Sequence, residues 1–135
     1  MKGSCHCGAV SIEVPDRPEY LNQCNCTACW KLGTLWGYYP GDAVRIGGGP
    51  RSYARVDVPQ PTITFDFCDG CGATIQWAPV PGNASPRRGI NMRLFDPGEL
   101  RGIEVRYGDR RNHDAVEPRH YARQATMFDD GGPVA

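Results

Sequence analysis

Alternation of apolar and polar positions recurs along this chain, while helical periodicity is confined to a few short stretches. Val10, Ile12 and Val14 alternate with smaller or polar residues across 9–14 until Pro15 ends the run, the pattern of a half-buried strand. The clearest period of two lies in 62–67, where Ile63, Phe65 and Phe67 fall on one face. Further strands are expected at 35–39, 43–46, 73–77, 89–94 and 103–107, and 51–58 reads as extended. Between these runs stand turn formers: Pro18 within the connection 16–20, Pro40-Gly41-Asp42, Gly47-Gly48-Gly49-Pro50 and the polar, proline-rich 79–88. Helix is expected only as a turn or two over 28–32 before Gly33, one turn capped by Asp96 with Pro97 and Glu99, and a short element from Pro118 through Gln124.

Composition agrees with this pattern. A chain of 135 residues with 40% hydrophobic content suits one domain, and Gly 17 with Pro 12 favours short strands joined by turns. Residues 1–125 are expected to form that domain, with 126–135 as a flexible tail. Lys+Arg 15 balances Asp+Glu 15 with the signs interspersed, so no basic face suited to nucleic acid is expected. Apolar runs are too short to cross a bilayer, and Met1-Lys2-Gly3-Ser4 leads straight into the first cysteine pair, which implies a cytoplasmic protein.

The cysteines change the picture. All 7 fall in three groups, Cys5-His6-Cys7, Cys24-Asn25-Cys26-Thr27-Ala28-Cys29 and Cys68-Asp69-Gly70-Cys71. In a reducing compartment an odd number of such closely spaced thiols points to metal binding or catalysis before disulfides. A closed structural zinc takes four protein ligands, and a catalytic one keeps three with an open position. Cys5, Cys7, Cys68 and Cys71, from two separate hairpin tips, are assigned to a structural zinc, with Gly70 and Gly72 permitting the positive-φ turn of the second tip. Cys24, Cys26 and Cys29, from one loop, are assigned to an open, catalytic zinc that need not be fully loaded. The competing reading makes this second group another folding site, completed by water or by a histidine such as His113 or His120; His6 reads as a surface residue. A redox reading, with these three thiols cycling through a disulfide, is also open.

At Gly3-Ser4-Cys5-His6-Cys7-Gly8-Ala9-Val10, at the CxCxxC group with Lys31 and Gly33, and at Phe65-Asp66-Phe67-Cys68-Asp69-Gly70-Cys71-Gly72, the sequence resembles the glutathione-dependent formaldehyde-activating (GFA) family, whose relatives include centromere protein V and, in fold, the Mss4-like zinc proteins. The resemblance covers roughly the first half of the chain and, less specifically, 91–94 and Asp96-Pro97. It implies a mainly β, Mss4-like tent of antiparallel sheets with zinc knuckles, and the same four-plus-three division of thiolates. It also implies a carbon–sulfur lyase-type activity on a small-molecule thiol adduct, a glutathione-like thiol joined to a small aldehyde.

The mechanism expected from these residues places a substrate thiolate at the open position of the Cys24, Cys26 and Cys29 site, with Lys31 steering an anionic thiol. Trp30, Trp36, Tyr38, Tyr39 and Trp77 are candidates for its walls, although aromatic residues in strands serve the core first. The alternatives are a non-enzymatic, zinc-stabilised interaction module and a thiol redox or zinc sensor.

Overall fold

The computed structural model describes residues 1–113 and 118–129. Among these residues the strands form two sheets. The smaller holds β1 (Lys2–Ser4), β2 (Ser11–Glu13) and β5 (Arg45–Gly47) in the order β1-β2-β5, with both pairings antiparallel. The larger has eight strands, β3 (Leu21–Asn22), β4 (Trp36–Pro40), β6 (Arg51–Ala54), β7 (Ile63–Phe67), β8 (Thr74–Pro79), β9 (Arg87–Asn91), β10 (Glu104–Arg106) and β11 (Thr126–Met127). Their spatial order is β11-β10-β3-β4-β9-β8-β7-β6, antiparallel throughout except where β10 lies parallel to β3. One α-helix, α1 (Thr27–Leu32), and the 3-10 turns Gly41–Ala43, Met92–Leu94 and Pro97–Leu100 complete the fold. The protein is mainly β with few helical turns, as expected.

The alternating positions build the core. Val10, Ile12 and Val14 are buried with Ile75, Ile90, Met92 and Leu100 between the sheets, while a second cluster gathers Trp36 and Phe65 around Cys24, Cys26 and Cys29. β7 departs from a one-sided strand: Asp66, on the face opposite Phe65, is also buried. Its carboxylate accepts from Ser52 Oγ at 2.6 Å and Gln76 Nε2 at 2.7 Å, which makes burial of the charge tolerable. The expected hairpin of β7 and β8 forms, and its tip carries Cys68 and Cys71.

Three expectations about elements are corrected. The strand expected at 89–94 lies at Arg87–Asn91 instead, because Asn91 Oδ1 accepts the Arg93 N–H and turns Met92–Leu94 into a 3-10 helix. The extension expected over 51–58 ends at Ala54, where Arg55 and Asp57 turn to bond each other. No helix forms over 118–124: the Ala122 N–H donates to Tyr107 O and the Asp109 N–H to His120 O, so the segment pairs with 107–109 through a Gly108–Tyr121 bridge. These nonlocal partners leave no local ladder to close. Thr126 and Met127 pair with β10, and residues 130–135 of the expected tail lie outside the described residues.

Candidate functional site

Two groups of sulfurs are each gathered to within 4.8 Å, Cys5 with Cys7, Cys68 and Cys71, and Cys24 with Cys26 and Cys29. The first joins the loop between β1 and β2 to the tip between β7 and β8. Each loop closes with its own backbone bond, Gly8 N–H to Cys5 O and Gly72 N–H to Cys68 O, and of the two glycines expected to supply positive φ only Gly72 does so, at 79°. Sulfur separations of 3.6 Å for Cys5–Cys7 and Cys7–Cys68 lie close to the edge of about 3.8 Å that a tetrahedron with 2.3 Å zinc–sulfur bonds would have. The Val10 N–H donates to Cys5 Sγ at 3.2 Å and holds its pKa below the ordinary thiol value, and the backbone N–H groups of Cys7 and Ala73 draw Cys71 down to about 6. Cys7 also has a backbone donor, from Ala9, but the Cys5 and Cys68 sulfurs beside it prevail and push it up to about 11. Four thiols packed this way cannot all ionise without a cation, and the donor set fits zinc.

The second group is built by one loop and the start of α1. Cys26 is the helix N-cap: its extended backbone turns the chain and its sulfur accepts the Cys29 N–H at 3.3 Å. Gly33, at φ 66°, ends the helix in the left-handed conformation and sends Trp36 back under the loop. Each sulfur thereby receives a donor. Cys24 Sγ accepts from the Cys26 N–H at 3.4 Å, Cys29 Sγ from the Trp36 indole at 3.2 Å, and Cys26 Sγ also faces Arg55 Nη1 at 3.9 Å. The neighbouring thiols set the order of ionisation. Hydrogen bonds from Cys24 and Cys29 hold Cys26 far below the thiol range, whereas Cys24 is pushed up chiefly by Cys26, and Cys29 by both Cys24 and Cys26. A soft cation held by Cys24, Cys26 and Cys29 would remove that conflict, and with three protein ligands it would keep a position for a further one.

Above the sulfurs lies a cavity of about 540 Å³. Cys24, Cys26 and Cys29 line it together with Trp36, Phe65, Trp77 and Tyr38, and five arginines contribute to its wall: Arg55, Arg87, Arg110, Arg111 and Arg119. No described lining residue is acidic. Arg55 is oriented by Asp57, which binds its Nε and Nη2 at 2.8 Å each, and Asp57 is tied to α1 by a 2.5 Å bond from Thr27 Oγ1. Asn25, between two of the cysteines, anchors the segment after β10. Its Oδ1 accepts the N–H groups of Arg110 and Arg111 at 2.9 and 3.0 Å, and its Nδ2 donates to the buried Asp109 at 2.8 Å.

Of the residues proposed from sequence, all seven cysteines come together in the two expected groups. Lys31 is exposed on α1 and is not among the cavity-lining residues; arginines occupy the wall where a steering cation was expected. Trp30 is 65% exposed on the outer side of α1 and Tyr39 is buried in the main core, so Trp36, Tyr38 and Trp77 are the expected aromatic residues that form walls. No histidine joins either sulfur group among the described residues; His120 lines the cavity, with His113 stacked on it at 3.7 Å. Arg55 and Asn25 were missed. Asn25 carried a signal, as the residue enclosed by two ligands, but Arg55 reaches the site only because β6 and β7 bring it there.

The family model described as glutathione-dependent formaldehyde-activating enzyme matches residues 1–107. The structure is also similar to the crystal structure of a Rhodobacter sphaeroides protein determined by structural genomics, with a TM-score of 0.62 and 25% sequence identity over 79% of this chain and 99% of that one.

Proposed function

This chain belongs to the glutathione-dependent formaldehyde-activating enzyme family, and from that premise we propose that it is a zinc-dependent carbon–sulfur lyase-type enzyme acting on the adduct of a glutathione-like thiol and a small aldehyde. The observation that carries this reading is the position of Cys24, Cys26 and Cys29 at the foot of a cavity of about 540 Å³ with no described acidic lining residue. The other four cysteines hold the structural ion. Both sites are read as zinc sites because all seven donors are thiolates. Zinc at the three-sulfur site would supply a Lewis-acidic position that favours the anionic form of a thiol.

The residues of the chain do the rest. Three thiolates around a divalent ion leave one net negative charge, and Arg55 at 3.9 Å from Cys26 Sγ offsets it, so that a further anionic sulfur is not repelled. The Trp36 indole fixes Cys29 by its hydrogen bond and closes the floor against water. Arg87 and Arg111, both in the cavity wall, favour the carboxylates of a glutathione-like thiol. A small-molecule partner suits these dimensions better than nucleic acid or a membrane, and no helix among the described residues is long and apolar enough to cross a bilayer. Seven unpaired thiols suit a reducing, cytoplasmic setting.

The test is metal content together with turnover. Two zinc ions per chain and metal-dependent breakdown of S-(hydroxymethyl)glutathione are expected, with Cys26→Ser losing both the second ion and the activity. An unchanged rate in Cys26→Ser would remove the open-site mechanism.

A further inference from the structure

We propose that the Tyr38 hydroxyl is a catalytic hydrogen-bond donor, aimed into the cavity at the oxygen of the substrate's hydroxymethyl or carbonyl group. This rests on the reading of the cavity as a thiol–aldehyde adduct site and adds the group that recognises the aldehyde half.

The direction of the donor follows from a chain of hydrogen bonds. Asn22 Oδ1 accepts the Gly108 N–H at 3.1 Å, which fixes the amide so that its NH₂ end faces Tyr38. That NH₂ lies 2.7 Å from the phenolic oxygen, and an amide NH₂ can only donate. Tyr38 must therefore accept this bond, and its own O–H is directed elsewhere. Asn22 ends β3, Cys24 follows two residues later, and both line the cavity. The phenol that Asn22 holds thus shares the cavity wall with the Cys24 sulfur.

The surroundings make this hydroxyl a donor and not a base. Burial, the largest influence, pushes the phenol above its ordinary pKa, and the proton stays in place at neutral pH. Arg87 lies over the ring, its Cζ 4.6 Å from the centroid, and draws electron density from the phenol, which sharpens the donor. Tyr20 and Trp77, with centroids 5.7 and 6.2 Å from that of Tyr38, flank the ring and fix its plane.

In the adduct-forming direction the sulfur electron pair makes the C–S bond, the carbonyl π pair moves onto oxygen, and that oxygen takes up the proton the thiol has released. Elimination is the reverse. No oxidation occurs, and Tyr38 keeps its proton throughout: it bonds the oxygen most strongly when that atom carries charge.

The experiment compares zinc-loaded wild type with Tyr38→Phe, which keeps the ring and removes only the hydroxyl. Calorimetry measures binding of S-(hydroxymethyl)glutathione and of S-methylglutathione, and turnover is followed with the first. The wild type should prefer the hydroxyl-bearing ligand by roughly fivefold, the phenylalanine variant should lose that preference without weakening for S-methylglutathione, and turnover should fall roughly 100-fold. A hydroxyl preference that survives intact in Tyr38→Phe, or a wild type with no preference at all, overturns the assignment; the second result needs no variant. A wild type that shows the Tyr38-dependent preference but no turnover supports the assignment and removes the lyase reading instead.

Discussion

Arg55→Gln isolates the electrostatic support of the three-sulfur site, because it removes a cation without touching a sulfur. Arg55 Nη1 stands 3.9 Å from Cys26 Sγ, and its side chain is only 19% exposed. Two full charges about 4 Å apart interact by about 4 kcal/mol at an effective dielectric constant of about 20. Less than that applies here. The guanidinium charge is spread over three nitrogens and shared with Asp57, whose bidentate bond raises the Arg55 pKa, and a bound ion would take part of the thiolate charge. About 1–2 kcal/mol remains, or roughly tenfold in affinity. Competition with a chromophoric chelator should find two zinc affinities in the wild type, with the weaker one lowered roughly tenfold in Arg55→Gln and the tighter one unchanged. Arg55→Lys should recover part of the loss, since it restores charge but not the fork that Asp57 grips. A weaker-site affinity within twofold of wild type in Arg55→Gln would refute the claim that Arg55 compensates the thiolates.

Other outcomes follow from named contacts. Cys68→Ser removes a fully buried thiol of the four-sulfur group, and on the proposed reading one zinc equivalent should be lost together with cooperative thermal unfolding. Gly89→Ala would put a Cβ 2.0 Å from Trp77 Nε1, so the indole that walls the cavity must shift; a loss of about 1–3 kcal/mol in urea unfolding and altered tryptophan emission are expected. Hydrogen bonds from Asn25 and Asn112 hold the Asp109 carboxyl below its ordinary pKa. A depressed folded-state value means that its contribution is complete above the unfolded value of about 3.9 and is lost as pH falls through the folded one. Amide exchange at Arg110 and Arg111 should therefore stay slow down to about pH 4 and quicken below it, and Asp109→Asn should abolish that step.

The sulfur division was legible because ligand spacing is a local property, and CxC, CxCxxC and CxxC each present their thiols in one direction whatever surrounds them. Most strands were legible for the same reason, in the alternation of Val10, Ile12 and Val14 or of Ile63, Phe65 and Phe67. What failed was nonlocal. The balance of 15 basic and 15 acidic residues concealed a cavity with five lining arginines, because Arg55, Arg87 and Arg110 belong to three distant stretches that only the sheet order joins. The helix expected from Pro118 gave way to pairing with 107–109, a competition that propensity does not register. Lys31 and Arg55 make the same point as a pair: the cation nearest in sequence to the thiolates faces outward, and the one facing Cys26 lies 29 residues beyond it.

The two sulfur groups differ in what a metal ion held at each would do for the fold, and chain topology explains why. Cys5 and Cys7 sit between two strands of the small sheet, while Cys68 and Cys71 sit at a tip of the large one, with 61 residues separating Cys7 from Cys68. An ion held by all four sulfurs would close that long loop and pin the sheets together, and so would restrict the unfolded chain as a long-range crosslink does. Cys24, Cys26 and Cys29 span six residues of one loop, and closing so short a stretch restricts the unfolded chain far less. The local order there comes from the helix cap at Cys26, the Trp36 bond and the Asn25 bonds, none of which needs a fourth ligand from a distant strand. On the proposed reading, stability and reactivity would thus fall to different ions: the one that ties the sheets would be enclosed, and the one that the fold can spare would keep a face toward the cavity.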